Sequence, residues 1–215
     1  MGTRLILRNT SVNALQDEPP SWPSGIDLDG FTYERLGGFS DKADSAIAAR
    51  ETKWFVDWLR RDEPYSPQPY EQLATVLHRM GHGTEANAVL FESRERSRDQ
   101  AWKEGRYGAW LGLSLLKLTI GYGYGQRYFR SLYWILGLVG LGTIVLRATG
   151  QDRQPDGSRI GVWYSFDMLL PIVKLNEQHY KIELRRWVRY YFYFHKLMGY
   201  VLGSFIVAGL SGLTK

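Results

Sequence analysis

Apolar positions change character about halfway along this chain of 215 residues. Through residue 100 they recur singly among charged residues, whereas beyond residue 106 they form runs rich in Leu, Gly, Tyr and Trp. The change predicts a soluble helical domain with a short N-terminal strand over 1–100 and a membrane domain over 101–215. The expected fold class is therefore mainly α, with a short β segment and a two-span α-helical membrane domain.

In the first half, the sequence predicts short strands first and helices after them. Residues 3–15 alternate imperfectly and predict a strand and turn, and residues 26–31 predict one more short strand. Apolar residues at helical spacing predict a helix over 41–61, which a proline-rich stretch ends. Two further helices, 70–80 and 84–98, are expected to form a hairpin around a Gly-His-Gly turn.

A charged run over 92–99 ends this half and has two interpretations. It is either the solvated end of a helix or a basic approach to a lipid surface, because the apolar half follows directly.

Two uncharged runs predict membrane spans at about 131–147 and 197–214. The first lies between Arg130 and Arg147 and would cover about 24 Å at 1.5 Å per residue, slightly less than the bilayer core. A buried core helix is the alternative for this run. The second run carries small residues that favour close helix packing in lipid: Gly199, Gly203, Ser204, Ala208 and Gly212.

Two other apolar segments are unsuited to crossing a bilayer. Residues 107–126 contain several glycines and a central lysine, which favours an interfacial amphipathic helix. Residues 161–173 are too short and contain a proline, so they predict an interfacial or re-entrant segment. An acidic residue at membrane depth is a functional candidate, although it could equally cap a surface helix. The candidates in and beside this broken segment are Ser165, Asp167, Pro171 and Lys174.

Aromatic and basic residues beside the apolar runs predict contacts with the lipid interface. They are Trp110, Lys117, Arg127, Arg130, Trp134, Arg147, Trp163, Trp187, Tyr190, Tyr193 and Lys196. The net charge of +5 favours anionic lipid over nucleic acid as a partner in this context.

The residue types also limit the chemistry that the chain can perform. There is no Cys, which excludes disulfides, thiolate catalysis and Cys-bound metal centres. His78 and His82 have the spacing of two ligands on one helical turn, but Gly81 interrupts the helix between them. His195 beside Lys196 is interpreted as an interface residue. We therefore expect no catalytic residue, no metal site and no cofactor.

Several stretches resemble the C-terminal region of bacterial membrane-associated proteins with pentapeptide or bactofilin-like repeats. These are LDGFTY (28–33), YSPQPYEQL (65–73), IGYGY (120–124), and YSFD (164–167) with LPI (170–172). The sequence GQR at 125–127 departs from the Arg-Pro that commonly follows in that family. The resemblance implies that residues 3–15 are the final rung of a repeat solenoid and that this chain is a shortened member. Some relatives are labelled membrane-associated oxidoreductases, but no redox site accompanies the label here.

Three hypotheses of function follow. The first is a homo-oligomeric bacterial membrane protein that forms a pore or channel, for instance as a membrane effector. The second is a non-conducting anchor or scaffold that presents the N-terminal helices to a cytoplasmic protein partner, and the third is a membrane-associated redox enzyme. We expect the bacterial inner membrane with a cytoplasmic N-terminal domain, although basic residues between the spans would by themselves place that connection in the cytoplasm.

Overall fold

The computed structural model describes residues 3–17, 21–37, 47, 50–125, 130–153, 157–170 and 173–210, with side chains through residue 207. The prediction of a mainly α protein is confirmed, because 63% of the chain is helical. The chain divides into two compact units, Met1–Leu115 and Leu116–Lys215.

Four short strands begin the N-terminal unit: β1 (Arg4–Ile6), β2 (Ser11–Leu15), β3 (Gly25–Asp27) and β4 (Thr32–Leu36). β1 pairs in parallel with β3, and β2 pairs in parallel with β4 at the same sequence spacing. The result is two stacked strand–turn–strand rungs, in which β4 is a strand that the pattern did not predict.

The two rungs meet closely at their turns. The Asn9 amide donates to the Asp29 carbonyl at 3.0 Å, and Gly30 follows with a φ of 74°. A Cβ atom on Gly30 would lie 2.2 Å from the Asn9 Oδ1 atom. Glycine is therefore required at position 30 by both the backbone conformation and the available space.

Three helices complete the N-terminal unit: α1 (Thr52–Leu59), α2 (Gln68–Arg79) and α3 (Gly83–Lys103). The predicted hairpin is present as α2 and α3, whose apolar faces meet each other. Helix α1 is shorter than the predicted 41–61, of which residues 41–46, 48 and 49 lie outside the described part. The core joins Ile26 and Phe31 from the rungs to Phe55 and Leu73 from the helices.

The charged run over 92–99 in α3 is occupied in part by contacts within this unit. The Arg96 guanidinium donates to the Tyr70 hydroxyl at 2.9 Å and to the Leu59 carbonyl at 3.3 Å. Glu92 forms an ion pair with Arg60. These partners account for part of the run without a lipid surface.

The C-terminal half contains α4 (Tyr107–Ile120), α5 (Arg130–Ala148), α6 (Val162–Leu169) and α7 (Arg186–Leu210). Helix α4 continues across the boundary between the two units. Helix α6 forms the predicted broken segment, and a 3-10 turn at Glu177–Lys181 lies between α6 and α7. Helix α7 begins well before the second predicted span, whose last residues, 211–214, lie outside the described part.

Helices α5 and α7 run antiparallel. Leu146 near the end of α5 shares a buried cluster with Val188 near the start of α7. One turn earlier on α5, Gly142 faces His195, which is two turns later on α7. Helix α6 packs against both. Within the described residues, one helix, α5, is long and apolar enough to cross a membrane by length and composition.

Candidate functional site

The carboxylate of Asp167 connects α6 to the segment that leads to α7. Asp167 is completely buried and accepts hydrogen bonds from the Leu175 amide at 2.8 Å and the Asn176 amide at 3.3 Å. The His179 Nδ1 atom lies 2.8 Å from the same carboxylate and donates to it. We call residues 173–185 the strap. These three hydrogen bonds to the Asp167 carboxylate hold the strap against α6.

A second buried polar contact joins α6 to α7. The His195 Nε2 atom lies 3.0 Å from the Ser165 carbonyl oxygen, so this nitrogen carries the proton and donates. The Tyr191 hydroxyl lies 3.4 Å from the other ring nitrogen. Both Ser165 and His195 are completely buried. The interpretation of His195 as an interface residue is therefore wrong, because its side chain packs between helices.

The Ser, His and Asp side chains do not form a nucleophilic triad. A triad requires one histidine that accepts a proton from the serine while the carboxylate orients its other nitrogen. Here Asp167 contacts His179, whereas the Nε2 atom of His195 is used as a donor to a carbonyl. The arrangement fits positioning of helices and not acyl transfer.

Two glycines allow the three helices to approach closely. A Cβ atom on Gly142 of α5 would lie 2.2 Å from the Ser165 Oγ atom. A Cβ atom on Gly199 of α7 would lie 1.7 Å from the Leu169 carbonyl oxygen at the end of α6. Gly199, predicted as a helix-packing residue, thus packs against a helix of the same chain.

The other predicted packing residues are not brought into a comparable contact. Gly203 is half-buried, and Ser204 is exposed with its hydroxyl donating to the Val201 carbonyl of its own helix at 2.8 Å. The Ala208 side chain and Gly212 lie outside the described part. Among the broken-segment candidates, Pro171 also lies outside it, and Lys174 is exposed on the strap.

Most residues predicted at the lipid interface have exposed side chains. The exposed ones are Arg130, Trp134, Arg147, Trp163, Trp187, Tyr190 and Tyr193. The half-buried ones are Trp110, Lys117 and Lys196, and Arg127 lies outside the described residues. The Trp134 indole donates to the Leu118 carbonyl at 3.1 Å, so this ring links α5 to the end of α4.

A cavity of about 380 Å³ lies between the strap and the first half of α7. Its cations are Lys181, Arg189 and Lys196, and its aromatic side chains are Tyr164, Tyr180, Phe192 and Tyr193. Burial, followed by the nearby Asp167 carboxylate, raises the pKa of Tyr180, so this phenol stays neutral at physiological pH. Tyr180, Lys181 and Arg189 are not predicted as site residues by the sequence, because no periodic pattern places the strap over α7.

In the described part of the chain, no group of three or more His, Asp or Glu residues is arranged to hold a metal ion. Comparisons of the chain with protein-family models, with curated proteins and with solved structures find no match.

Proposed function

We propose that this protein is an integral membrane protein whose C-terminal unit is embedded in the bilayer and anchors the N-terminal unit at the membrane surface. Helix α5 provides one span, and the apolar part of α7 with the residues that follow provides the other. The setting that we favour is the bacterial inner membrane with the N-terminal unit in the cytoplasm.

The observation that supports this proposal is the apolar outer face of α5. Only 28% of its most apolar 18-residue window is buried, whereas the core helix of a soluble protein is mostly buried. Leu136 and Ile144 have exposed fractions of 68% and 61%. Burying a side chain of this size contributes about 1.5–3 kcal/mol, which favours lipid as the environment of this face.

The inward faces of the same helices meet the demands of a bilayer. A polar group in lipid must find its partner within the protein, since no water is available. The Thr143 hydroxyl donates to the Val139 carbonyl of its own helix at 2.8 Å. Asp167 and His195 are bonded inside the helix cluster and point away from the surroundings. The polar content of these helices is therefore compatible with burial in a membrane.

A lysine on the outer face of α5 tests whether that face contacts lipid. We expect Leu136→Lys to lower the membrane-integrated fraction, because Lys near the centre of a span costs about 2.5–3.5 kcal/mol. The measurement is the fraction of protein that stays in membranes after alkaline carbonate extraction. Ala148→Lys is the matched control, because it places the same charge at the helix end beside Arg147, where lysine reaches the interface.

Wild-type protein that is released by carbonate would contradict the membrane proposal. Equal integration of both lysine variants would show that the outer face of α5 does not lie in the hydrocarbon.

A homo-oligomeric pore is a second candidate, which a separate feature of α5 favours. Cβ atoms added to Gly137 and Gly140 would meet no atom within 4 Å, so this small-residue surface is open to another helix. Small residues permit close helix approach in lipid, where packing drives association. Several copies of a two-span subunit would be needed to enclose a pore.

The mass of the protein in detergent and its conductance in planar bilayers test this candidate together. We expect an oligomer that Gly140→Leu dissociates, because the larger side chain keeps two helices apart. The control is Ile144→Leu, which preserves size on the exposed face. A monomer with silent bilayers would remove the pore and leave the anchor, whose protein partner would then be sought on residues 50–103.

A further inference from the structure

We propose that the cavity between the strap and α7 binds the phosphate of an anionic phospholipid headgroup. This inference rests on the proposed membrane function and names a specific ligand for one site within it. The cavity belongs entirely to the C-terminal unit.

The charge of the cavity favours an anion. Lys181, Arg189 and Lys196 line it together with a single carboxylate, Glu183, and His179 is already engaged by Asp167. Within the described part of the chain, none of the three cations forms an ion pair. Three cations against one lining carboxylate leave a net positive field at this partly enclosed cavity, which favours a phosphate.

The hydrogen-bond donors of the cavity, and not only its charge, suit a phosphate. Within the described residues, the Arg189 guanidinium donates a single long hydrogen bond of 3.4 Å, to the Leu184 carbonyl, and has further donors available. Guanidinium groups bind phosphate through two parallel hydrogen bonds, while ammonium groups act as point charges. The Nζ atoms of Lys174 and Lys196 both lie 5.2 Å from the Tyr180 ring centre, so this neutral ring holds Lys196 and one further cation, Lys174, near the cavity.

The depth of the cavity favours a lipid as the source of the phosphate. The His195 ring faces Gly142, and α7 runs antiparallel to α5, so Lys196 is level with the residue before Gly142. At 1.5 Å per residue, Lys196 therefore lies about 9 Å deeper along the helices than Arg147. With Arg147 at the interface, the Lys196 ammonium can reach the level of lipid headgroups by snorkelling. Beyond the cavity, α7 continues with exposed Leu197 and Val201, against which an acyl chain could lie.

The strap forms one side of the cavity, and hydrogen bonds hold the strap in place. Asp167 fastens its beginning, and the Tyr180 hydroxyl donates to the Asp167 carbonyl at 3.4 Å. The Arg185 amide donates to the Gln151 side chain at 2.7 Å. The ring of Tyr180 and the backbone that carries Lys181 are therefore placed before any ligand binds, which limits the entropy lost on binding.

Lipid binding by the full chain tests the inference. The protein is reconstituted in phosphatidylcholine nanodiscs with and without phosphatidylglycerol, and binding of a fluorescent phosphatidylglycerol is measured. We expect the double variant Arg189→Gln, Lys196→Gln to bind it roughly 30-fold more weakly, at about fivefold for each charge. The control is Arg185→Gln, Arg186→Gln, which removes two exposed charges that do not line the cavity.

Three outcomes would overturn the inference. An equal loss in both double variants would indicate a general surface field and not a site. If both double variants bound the lipid as tightly as the wild type, the cavity would not be the lipid-binding site. Full competition by inorganic phosphate, with no preference for phosphatidylglycerol over phosphatidylcholine, would reject the lipid source. Carbonate extraction separates these results from the membrane proposal, because an integrated protein without lipid preference contradicts only the inference.

Discussion

Gly199→Ala is expected to disrupt the packing of α6 against α7 and to destabilise the C-terminal unit by about 3 kcal/mol, at the upper end of overpacking costs. The added Cβ atom would lie 1.7 Å from the Leu169 carbonyl oxygen and 2.8 Å from its carbonyl carbon. Both are backbone atoms, so no rotation of a side chain can relieve the clash. The two helices must move apart, and the contacts between them are lost.

Detergent-purified protein can be unfolded by titration with sodium dodecyl sulfate and followed by circular dichroism. Gly112→Ala is the matched control, since Gly112 lies on α4 with no atom within 4 Å of its added Cβ. Alanine is favoured over glycine in a helix by up to about 1 kcal/mol, so this control should be neutral or slightly stabilising. Similar unfolding of the two variants would contradict the close contact between α6 and α7.

Asp167→Ala is expected to release the strap and to cost about 3–5 kcal/mol. Removal of the carboxylate leaves the amides of Leu175 and Asn176 and the His179 ring without their buried acceptor. A hydrogen bond contributes about 1 kcal/mol net, so three lost hydrogen bonds account for the lower figure. The direct measurement is faster protease cleavage within residues 173–185.

Two further variants make this prediction specific. Asp167→Asn keeps an oxygen that can accept from the Leu175 amide and should lose less stability than Asp167→Ala. Glu177→Ala removes an exposed carboxylate from the same strap and should cleave at the wild-type rate. Equal cleavage of Asp167→Ala and wild type would show that the carboxylate does not hold the strap.

These variants also decide how a pore experiment is interpreted. Asp167 is a pore candidate from the sequence, yet its carboxylate is used within the helix cluster. A loss of current in Asp167→Ala would accompany a loosened unit and would not assign the residue to a conduction path. An Asp167→Asn variant that retains stability and changes ion selectivity would make that assignment.

Local sequence patterns were sufficient for several elements. The α2–α3 hairpin follows from apolar residues at helical spacing around a Gly-His-Gly turn. Helix α5 follows from an uncharged run between two arginines, because arginine is costly inside a bilayer and favourable at its edge. The short α6 follows from an apolar segment that a proline interrupts. In each case, the residues that determine the element are neighbours in the chain.

Non-local pairing explains what the patterns missed. Strand β4 forms because it pairs in parallel with β2, which lies far from it in the sequence. The residues of β4 alone show no alternation that would predict a strand. The first turns of α7 carry many basic and aromatic residues and resemble an interface segment, although Val188 and Phe192 face a buried cluster. Their helical face becomes recognisable only when α5 and α6 cover it.

The sequence by itself determined that the chain has a polar first half and an apolar helical second half, because composition and periodicity are properties of neighbouring residues. Only the tertiary structure decided that Asp167 and His195 are internal helix contacts and that the predicted packing residue Gly199 lies against α6 of the same chain. It also brought Lys181 and Arg189 to one cavity. These results depend on atoms far apart in sequence, which approach each other only when the antiparallel α5 and α7 pack around α6.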